Sequence, residues 1–159
     1  MATTPITLYS IGHSNVAVER LIALLEQHSI RTLCDVRSAP YSRYNPQFNR
    51  ELLAATLHAT GITYRYMGDM LGGKPADGSR LDYAQIAATP GFQRALSQLI
   101  DLGQRTPTAF MCGEADYHGC HRHRLIAPAL IARGVLVWHI MTDGSCERGE
   151  IEPQQMRMF

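Results

Sequence analysis

The sequence predicts an α/β fold, a doubly wound, three-layer sandwich with a mostly parallel sheet of about five strands. Short apolar runs alternate along the chain with longer segments whose apolar residues recur at helical spacing. Parallel strands need crossover connections, and right-handed helical crossovers cover both faces of the sheet. With 159 residues and 45% hydrophobic content, residues 1–159 are expected to form one domain with a polar tail from about residue 143.

Five apolar runs are predicted as strands, at residues 6–11, 32–37, 62–67, 108–112 and 135–141. Residues 68–82 are rich in Gly, Pro, Asp and Ser, which predicts a long surface loop. The start of this loop matches a phosphate-binding P-loop up to Lys74. Pro75, however, stands where that motif needs a hydroxyl, so the sequence argues against an NTPase.

Four segments are predicted as helices, around residues 18–25, 50–60, 92–100 and 120–133. Ser14 or Asn15 is expected to cap the first helix, and Asn49 the second. Pro128 lies inside the fourth helix, where a proline removes a hydrogen bond and clashes with the preceding turn. A kink or a delayed helix start is therefore predicted there.

Composition argues against several classes of protein. The net charge is +1, and no run of about 18 apolar residues occurs, so neither disorder nor a membrane span is predicted. No basic residue precedes the first apolar stretch, which argues against a secretory signal and makes the cytoplasm the expected location. In that compartment the four cysteines are expected to be free thiols rather than a disulfide framework.

Polar residues follow three of the predicted strands. Because ligands bind beyond the carboxyl ends of parallel strands, these residues are expected to line one cleft. Each also has a structural explanation, as a helix cap, an ion pair or a core residue. The residues in question are His13, Ser14 and Asn15 after the first strand, Asp35 and Arg37 after the second, and Glu114, Cys120, His121 and Arg122 after the fourth.

This set predicts a site for an anion. Arginine binds phosphate or carboxylate with two parallel hydrogen bonds, so Arg37, Arg43 and Arg122 are the expected anion ligands, with Ser14, Asn15 and His121 completing the binding set. The expected groups for proton transfer are His13, Asp35 and Glu114. The loop around Arg43 also carries aromatic residues that either stack on a nucleobase or pack on the domain.

Cys120 is the candidate nucleophile. Its expected place is a helix N-terminus beside His121 and Arg122, which would lower the pKa of its thiol, whereas Cys112 ends a buried strand and is expected to be structural. The alternative is that Cys120 is an unreactive, half-buried thiol. No metal is expected, because Cys112 and Cys120 are eight residues apart and no second close pair of ligands exists. No cofactor is expected either.

A series of motifs in a fixed order carries a family resemblance. It comprises Ile11-Gly-His-Ser-Asn15, Asp35-Val-Arg-Ser38 with Pro40 and Arg43, Asn45-Pro-Gln-Phe-Asn49, Leu71-Gly-Gly73, and Met111-Cys-x-Glu-x-Asp116 with Cys120-His-Arg122. In this series the chain resembles the domain-of-unknown-function 488 family. The resemblance implies a compact, Rossmann-like α/β domain of bacterial type, but no reaction. Pro128 departs from the uninterrupted helix that usually follows the last motif.

Three functions fit these observations. The first is an enzyme acting on a phosphorylated or otherwise anionic substrate, such as a nucleotide or a nucleic-acid component. The second is a non-catalytic module that binds the same ligands. The third is sulfur transfer by a thiol, since Asp35-Val-Arg37 and the later cysteine loop are similar to rhodanese domains, although the compact C-x₄-R loop of those domains is absent.

Overall fold

The computed structural model describes residues 4–74 and 81–152, and it has an α/β fold with a mixed, mostly parallel sheet of six strands. The strand order is β3-β2-β4-β1-β5-β6, and only β6 runs antiparallel to its neighbour. The strands are β1 (Thr7–Gly12), β2 (Thr32–Asp35), β3 (Thr63–Tyr66), β4 (Thr108–Cys112), β5 (Leu136–Ile140) and β6 (Cys146–Arg148).

The sixth strand lies in the segment that the sequence predicted as a polar tail. A turn reverses the chain after β5: Met141 N–H donates to Ser145 O at 2.8 Å, and Gly144 has a φ of +92°. Asp143 holds this turn by accepting hydrogen bonds from the backbone and side chain of Ser145. A three-residue strand of sequence Cys-Glu-Arg has no apolar alternation, so its residues alone gave no strand signal. Residues 153–159 of the predicted tail lie outside the described residues.

The described residues contain six α-helices, and one of them, Gly68–Leu71, falls in the predicted loop 68–82, of which residues 75–80 lie outside the described part. Ala17 is the N-cap of the first helix, so the prediction of Ser14 or Asn15 as its cap was wrong. Asn49 does precede the second helix, but its side chain accepts from Ser42 N–H instead. The helices are α1 (Val18–Gln27), α2 (Arg50–Ala59), α3 (Gly68–Leu71), α4 (Tyr83–Ala87), α5 (Pro90–Arg105) and α6 (Ala127–Ala132).

A π-helical turn stands where the sequence predicted a kink or a delayed helix start at Pro128. A π-helical turn, Arg122–Ile126, precedes α6, and Ala127 N–H donates to Arg122 O, five residues back. Pro128 then falls in the first turn of α6, where a missing N–H leaves no intrahelical bond unmade. The wider turn therefore separates the segment that carries Cys120 from the regular helix.

Two apolar clusters pack against alternate residues of the strands. Leu8 and Phe110 belong to one cluster, which includes Leu96 of α5, and Ile11 and Met111 belong to the other. The second cluster includes the buried leucines of α1 and α2. Burying one such aliphatic side chain stabilises the fold by about 1.5 to 3 kcal/mol, so both clusters hold helices against the sheet. No described helix has the length and apolarity that crossing a membrane requires.

An ion pair joins two buried residues at the end of β2. Asp35 is fully buried, and both its oxygens accept from the Arg37 guanidinium, at 2.9 Å from Nε and 2.8 Å from Nη2. Tyr64 O–H donates to the same carboxylate. This two-bond geometry compensates both charges in a place that water does not reach.

We predict that Asp35→Ala lowers the free energy of unfolding by about 3 to 5 kcal/mol, because it leaves the Arg37 charge buried without its partner. Urea denaturation measures the change. The matched control is Asp101→Ala, which breaks the exposed pair between Asp101 and Arg105 on α5 and should cost less than about 1 kcal/mol. Equal losses from the two variants would contradict the importance of the buried pair.

Candidate functional site

A cleft of about 490 Å³ opens at the carboxyl ends of β1, β2 and β4. These strands are neighbours, and their register aligns Gly12 with Cys112 and Asp35 with Met111, so the segments after them meet at one edge. Five of the predicted site residues line this cleft: His13, Arg37, Glu114, Cys120 and His121. Its other lining residues are Ser38, Ala39, Tyr41, Ser42, Asn45, Gly73, Lys74, Tyr83, Cys112, Gly113 and Gly119.

The other five predicted residues do not line the cleft. Ser14 bonds only to its neighbour Asn15 through its side chain, and Arg43 is exposed on the loop after β2. Asp35 and Arg122 are fully buried. The prediction that Arg122 binds a substrate directly therefore needs correction, since its guanidinium contacts protein groups below the cleft floor.

His13 is fixed by contacts on both ring nitrogens. Its Nδ1–H donates to Ser14 O at 2.7 Å, which leaves Nε2 to accept from Arg37 Nη1 at 3.3 Å. The ring also stacks on Phe48, with centroids 4.3 Å apart. Burial lowers the pKa of His13 to about 4, so the imidazole is neutral at physiological pH. His13 therefore lines the cleft, and neither of its ring nitrogens has a free lone pair to accept a proton.

Arg37 uses most of its hydrogen-bonding capacity inside the protein. Besides Asp35 and His13, its Nη2 donates to Phe48 O at 2.7 Å. Of five guanidinium N–H groups, these bonds leave one on Nη1 for a ligand in the cleft. Both oxygens of Asp35 are likewise occupied, which argues against its predicted role in proton transfer.

Arg122 is the second buried arginine, and its surroundings differ. Its Nε donates to Cys112 Sγ at 2.8 Å, Nη1 to Ser10 Oγ at 3.1 Å, and Nη2 to Glu114 O at 2.6 Å. Within residues 4–74 and 81–152, no carboxylate forms an ion pair with it. A buried cation requires a nearby negative charge, and the sulfur of Cys112 is its only contact that ionises.

Cys112 and Cys120 form a thiol pair next to Arg122, because their sulfurs lie within 4.8 Å of each other. The proximity of Cys112 lowers the pKa of Cys120, and His121 and Arg122 lower it further. Burial raises the pKa of Cys112. A lowered pKa of Cys120 and a raised pKa of Cys112 favour a negative charge on Cys120, close to the Arg122 guanidinium. Cys112, which was expected to be structural, thus also contributes to the surroundings of Cys120.

His121 faces Cys120 and is held in one orientation. Its Nε2–H donates to Val36 O at 2.9 Å, and its Nδ1 lies 3.6 Å from Cys120 Sγ. Gly73 packs against the ring, where a Cβ would lie 3.1 Å from His121 Cβ. The arrangement is that of a nucleophile, a base and a group that orients the base.

Lys74 and Ser38 are cleft residues that the sequence analysis did not select. The backbone N–H of Lys74 donates to Ser38 Oγ at 3.0 Å, which fastens the segment after α3 to the loop after β2. The motif Leu71-Gly-Gly73 was the available signal, because Gly72 also packs on Ser38 and leaves no room there for a Cβ. The same segment had been considered as a P-loop and rejected, and Lys74 was not selected as a site residue.

His139 is connected to Arg122 through Ser10, whose Oγ accepts a hydrogen bond from Arg122 Nη1. Ser10 Oγ is hydrogen bonded to His139 Nδ1, and the His139 ring stacks on Tyr117 with centroids 3.9 Å apart. Burial lowers the pKa of His139 to about 3, and the charges of Arg122, His123 and His118 add to the effect. The folded protein therefore keeps this ring neutral.

We predict that acid destabilises the fold in part through His139. The unfolded chain takes up a proton near pH 6.5, whereas folded His139 does so only near pH 3, so stability is complete above about pH 6.5 and falls as pH decreases below it. Each pH unit in this range costs up to about 1.4 kcal/mol per such histidine. Urea denaturation should give a shallower pH dependence for His139→Asn. The exposed control His58→Asn should follow the wild type, and a matching slope in both variants would contradict the prediction.

Comparison with known proteins identifies the family. No curated protein and no solved structure matches the chain. The model of the family described as "Domain of unknown function DUF488" matches residues 17–128, which is more than half of the chain. This span contains Arg37, the thiol pair and His121, and it ends before β5. The resemblance seen in the motifs is thereby confirmed, and the chain belongs to the DUF488 family.

Proposed function

We propose that the protein is an enzyme, a hydrolase or transferase, that uses Cys120 as a nucleophile on a small anionic substrate. One observation carries the proposal: Cys120 Sγ lies 3.6 Å from His121 Nδ1 on the wall of a cleft. At about 490 Å³ the cleft falls within the usual size range of sites for small ligands. No cofactor is needed for this chemistry.

His121 supplies the base. Because its Nε2–H is bound to Val36 O, His121 directs Nδ1 toward Cys120, and Nδ1 holds the proton that the Cys120 thiol, with its lowered pKa, gives up. The thiolate then attacks the substrate and forms a covalent intermediate, and Nδ1–H returns the proton to the leaving group. Glu114 is exposed at the cleft and is the second group that can move protons there.

Charge supports an anionic substrate. Lys74 and one free N–H of Arg37 line the cleft, and Glu114 is the only carboxylate among the described residues of its lining. Tyr41 stands at the rim with 55% of its surface exposed and offers a ring on which a nucleobase can stack. These groups favour a phosphorylated compound, such as a nucleotide or a nucleic-acid component.

Two further expectations, one about the fold and one about the location in the cell, belong to this proposal. We infer a Rossmann-like, doubly wound sandwich of three layers, because helices of both apolar clusters pack against alternate residues of the strands. We infer a cytoplasmic location, which four free cysteines support.

We predict that Cys120 reacts with iodoacetate and iodoacetamide before Cys146, the half-buried cysteine on β6. His121→Ala should slow both reactions at Cys120 at least about tenfold, because the base is gone. Lys74→Gln should slow only the reaction with iodoacetate, because that reagent is anionic and iodoacetamide is neutral. Peptide mass spectrometry measures the rate at each cysteine.

Arg43→Gln is the matched control for Lys74→Gln, since it removes one exposed positive charge outside the cleft. It should leave both rates at Cys120 unchanged. If Cys120 reacts no faster than Cys146, the nucleophile is lost and the cleft becomes a non-catalytic binding module. If Lys74→Gln and Arg43→Gln behave alike, the anionic class of substrate is wrong.

A further inference from the structure

Three donor atoms of the cleft lie close enough to share one ion. The two sulfurs of Cys112 and Cys120 and a ring nitrogen of His121 all lie within 4.8 Å of one another. The sequence argued against a metal because the cysteines are eight residues apart and lack a second close pair. The fold brings them together, since the chain returns to the end of β4 and places Arg122 against Cys112 Sγ.

The one spacing measured within this group, from Cys120 Sγ to His121 Nδ1, fits tetrahedral zinc. With Zn–S near 2.3 Å and Zn–N near 2.05 Å, a tetrahedral site separates sulfur from nitrogen by about 3.5 Å and sulfur from sulfur by about 3.8 Å. The observed distance from Cys120 Sγ to His121 Nδ1 is 3.6 Å. Thiolate and imidazole ligands also suit zinc, whereas magnesium and calcium prefer oxygen ligands.

The hydrogen-bond partners of the three donor residues also support a zinc site. Histidine ligands of metals usually donate their other N–H to a carbonyl or carboxylate, and His121 Nε2–H donates to Val36 O at 2.9 Å. Arg122 Nε–H donates to Cys112 Sγ at 2.8 Å and so fixes the position of this sulfur. All three ligand residues line the cleft, so a fourth position can face the open space.

We propose that Cys112, Cys120 and His121 form a tetrahedral zinc site whose fourth position opens into the cleft. A zinc ion held there takes one lone pair of the Cys120 sulfur and the lone pair of His121 Nδ1. The proposed reaction uses both groups, so metal binding competes with nucleophilic attack and slows it. The site itself does not rest on the proposed function, because it needs only the three donors.

Titration of the reduced, full-length protein with Co²⁺ tests this site. We expect one ion per chain, with the absorption bands of tetrahedral cobalt and a thiolate-to-cobalt charge-transfer band, and displacement of the cobalt by Zn²⁺. Cys112→Ser and His121→Ala should each weaken Zn²⁺ binding at least about tenfold. Cys146→Ser should not, and this control matters because Cys146 lies 3.7 Å from His28 and is the other pairing of cysteine with histidine.

X-ray absorption on zinc-loaded wild-type protein identifies the atoms bound to zinc. This measurement uses no variant, so it does not depend on whether a variant folds. Two sulfur neighbours at about 2.3 Å support the site, whereas a shell without sulfur overturns it. Loss of binding in Cys146→Ser, or normal binding in Cys112→Ser, also overturns it. Fast alkylation of Cys120 that Zn²⁺ does not slow would reject the zinc site and leave the proposed function standing. Zinc binding with an unreactive Cys120 would support the zinc site and reject the proposed function.

Discussion

The guanidinium of Arg122 is the constraint on which the site depends. It is fully buried and donates hydrogen bonds to Cys112 Sγ, Ser10 Oγ and Glu114 O, so it ties β1, β4 and the loop after β4 to the turn that carries Cys120. Gly12 makes this possible, because a Cβ there would lie 1.7 Å from Glu114 O and 2.9 Å from Arg122 Nη2. A buried charge of this kind requires compensating contacts, and here the sulfur of Cys112 and two backbone or hydroxyl oxygens supply them.

The two buried arginines have different partners and therefore different consequences. Arg37 is neutralised by the carboxylate of Asp35, which takes no part in chemistry while it accepts that ion pair, and the pair fixes His13 and Phe48. Arg122 instead donates to the sulfur of Cys112, and sulfur is an atom that can bind a soft metal ion. The same residue type thus forms an ion pair with a carboxylate at one strand end and contacts the thiol pair at the next.

Residue order at strand ends sufficed to predict much of the site. His13, Arg37, Glu114, Cys120 and His121 follow strands and do meet in one cleft, because parallel neighbours end at the same edge. The direction of a side chain is not contained in that rule, so the burial of Arg122 beneath the cleft was missed. The approach of Cys112 to Cys120 depends on how the residues between them fold back, and no local pattern encodes it. β6 was missed for a similar reason, because its pairing with β5 and the Asp143 turn define it rather than its own apolarity.

The most direct test of this account is the nuclear magnetic resonance signal of Arg122 Nε–H in isotope-labelled, reduced protein. Full burial and the bond to Cys112 Sγ predict slow exchange of this proton with solvent. The signal should shift in Cys112→Ser and stay in place in Cys34→Ser, which alters another fully buried cysteine. Exchange as fast as that of the exposed Arg105, or a signal indifferent to Cys112→Ser, would contradict the account.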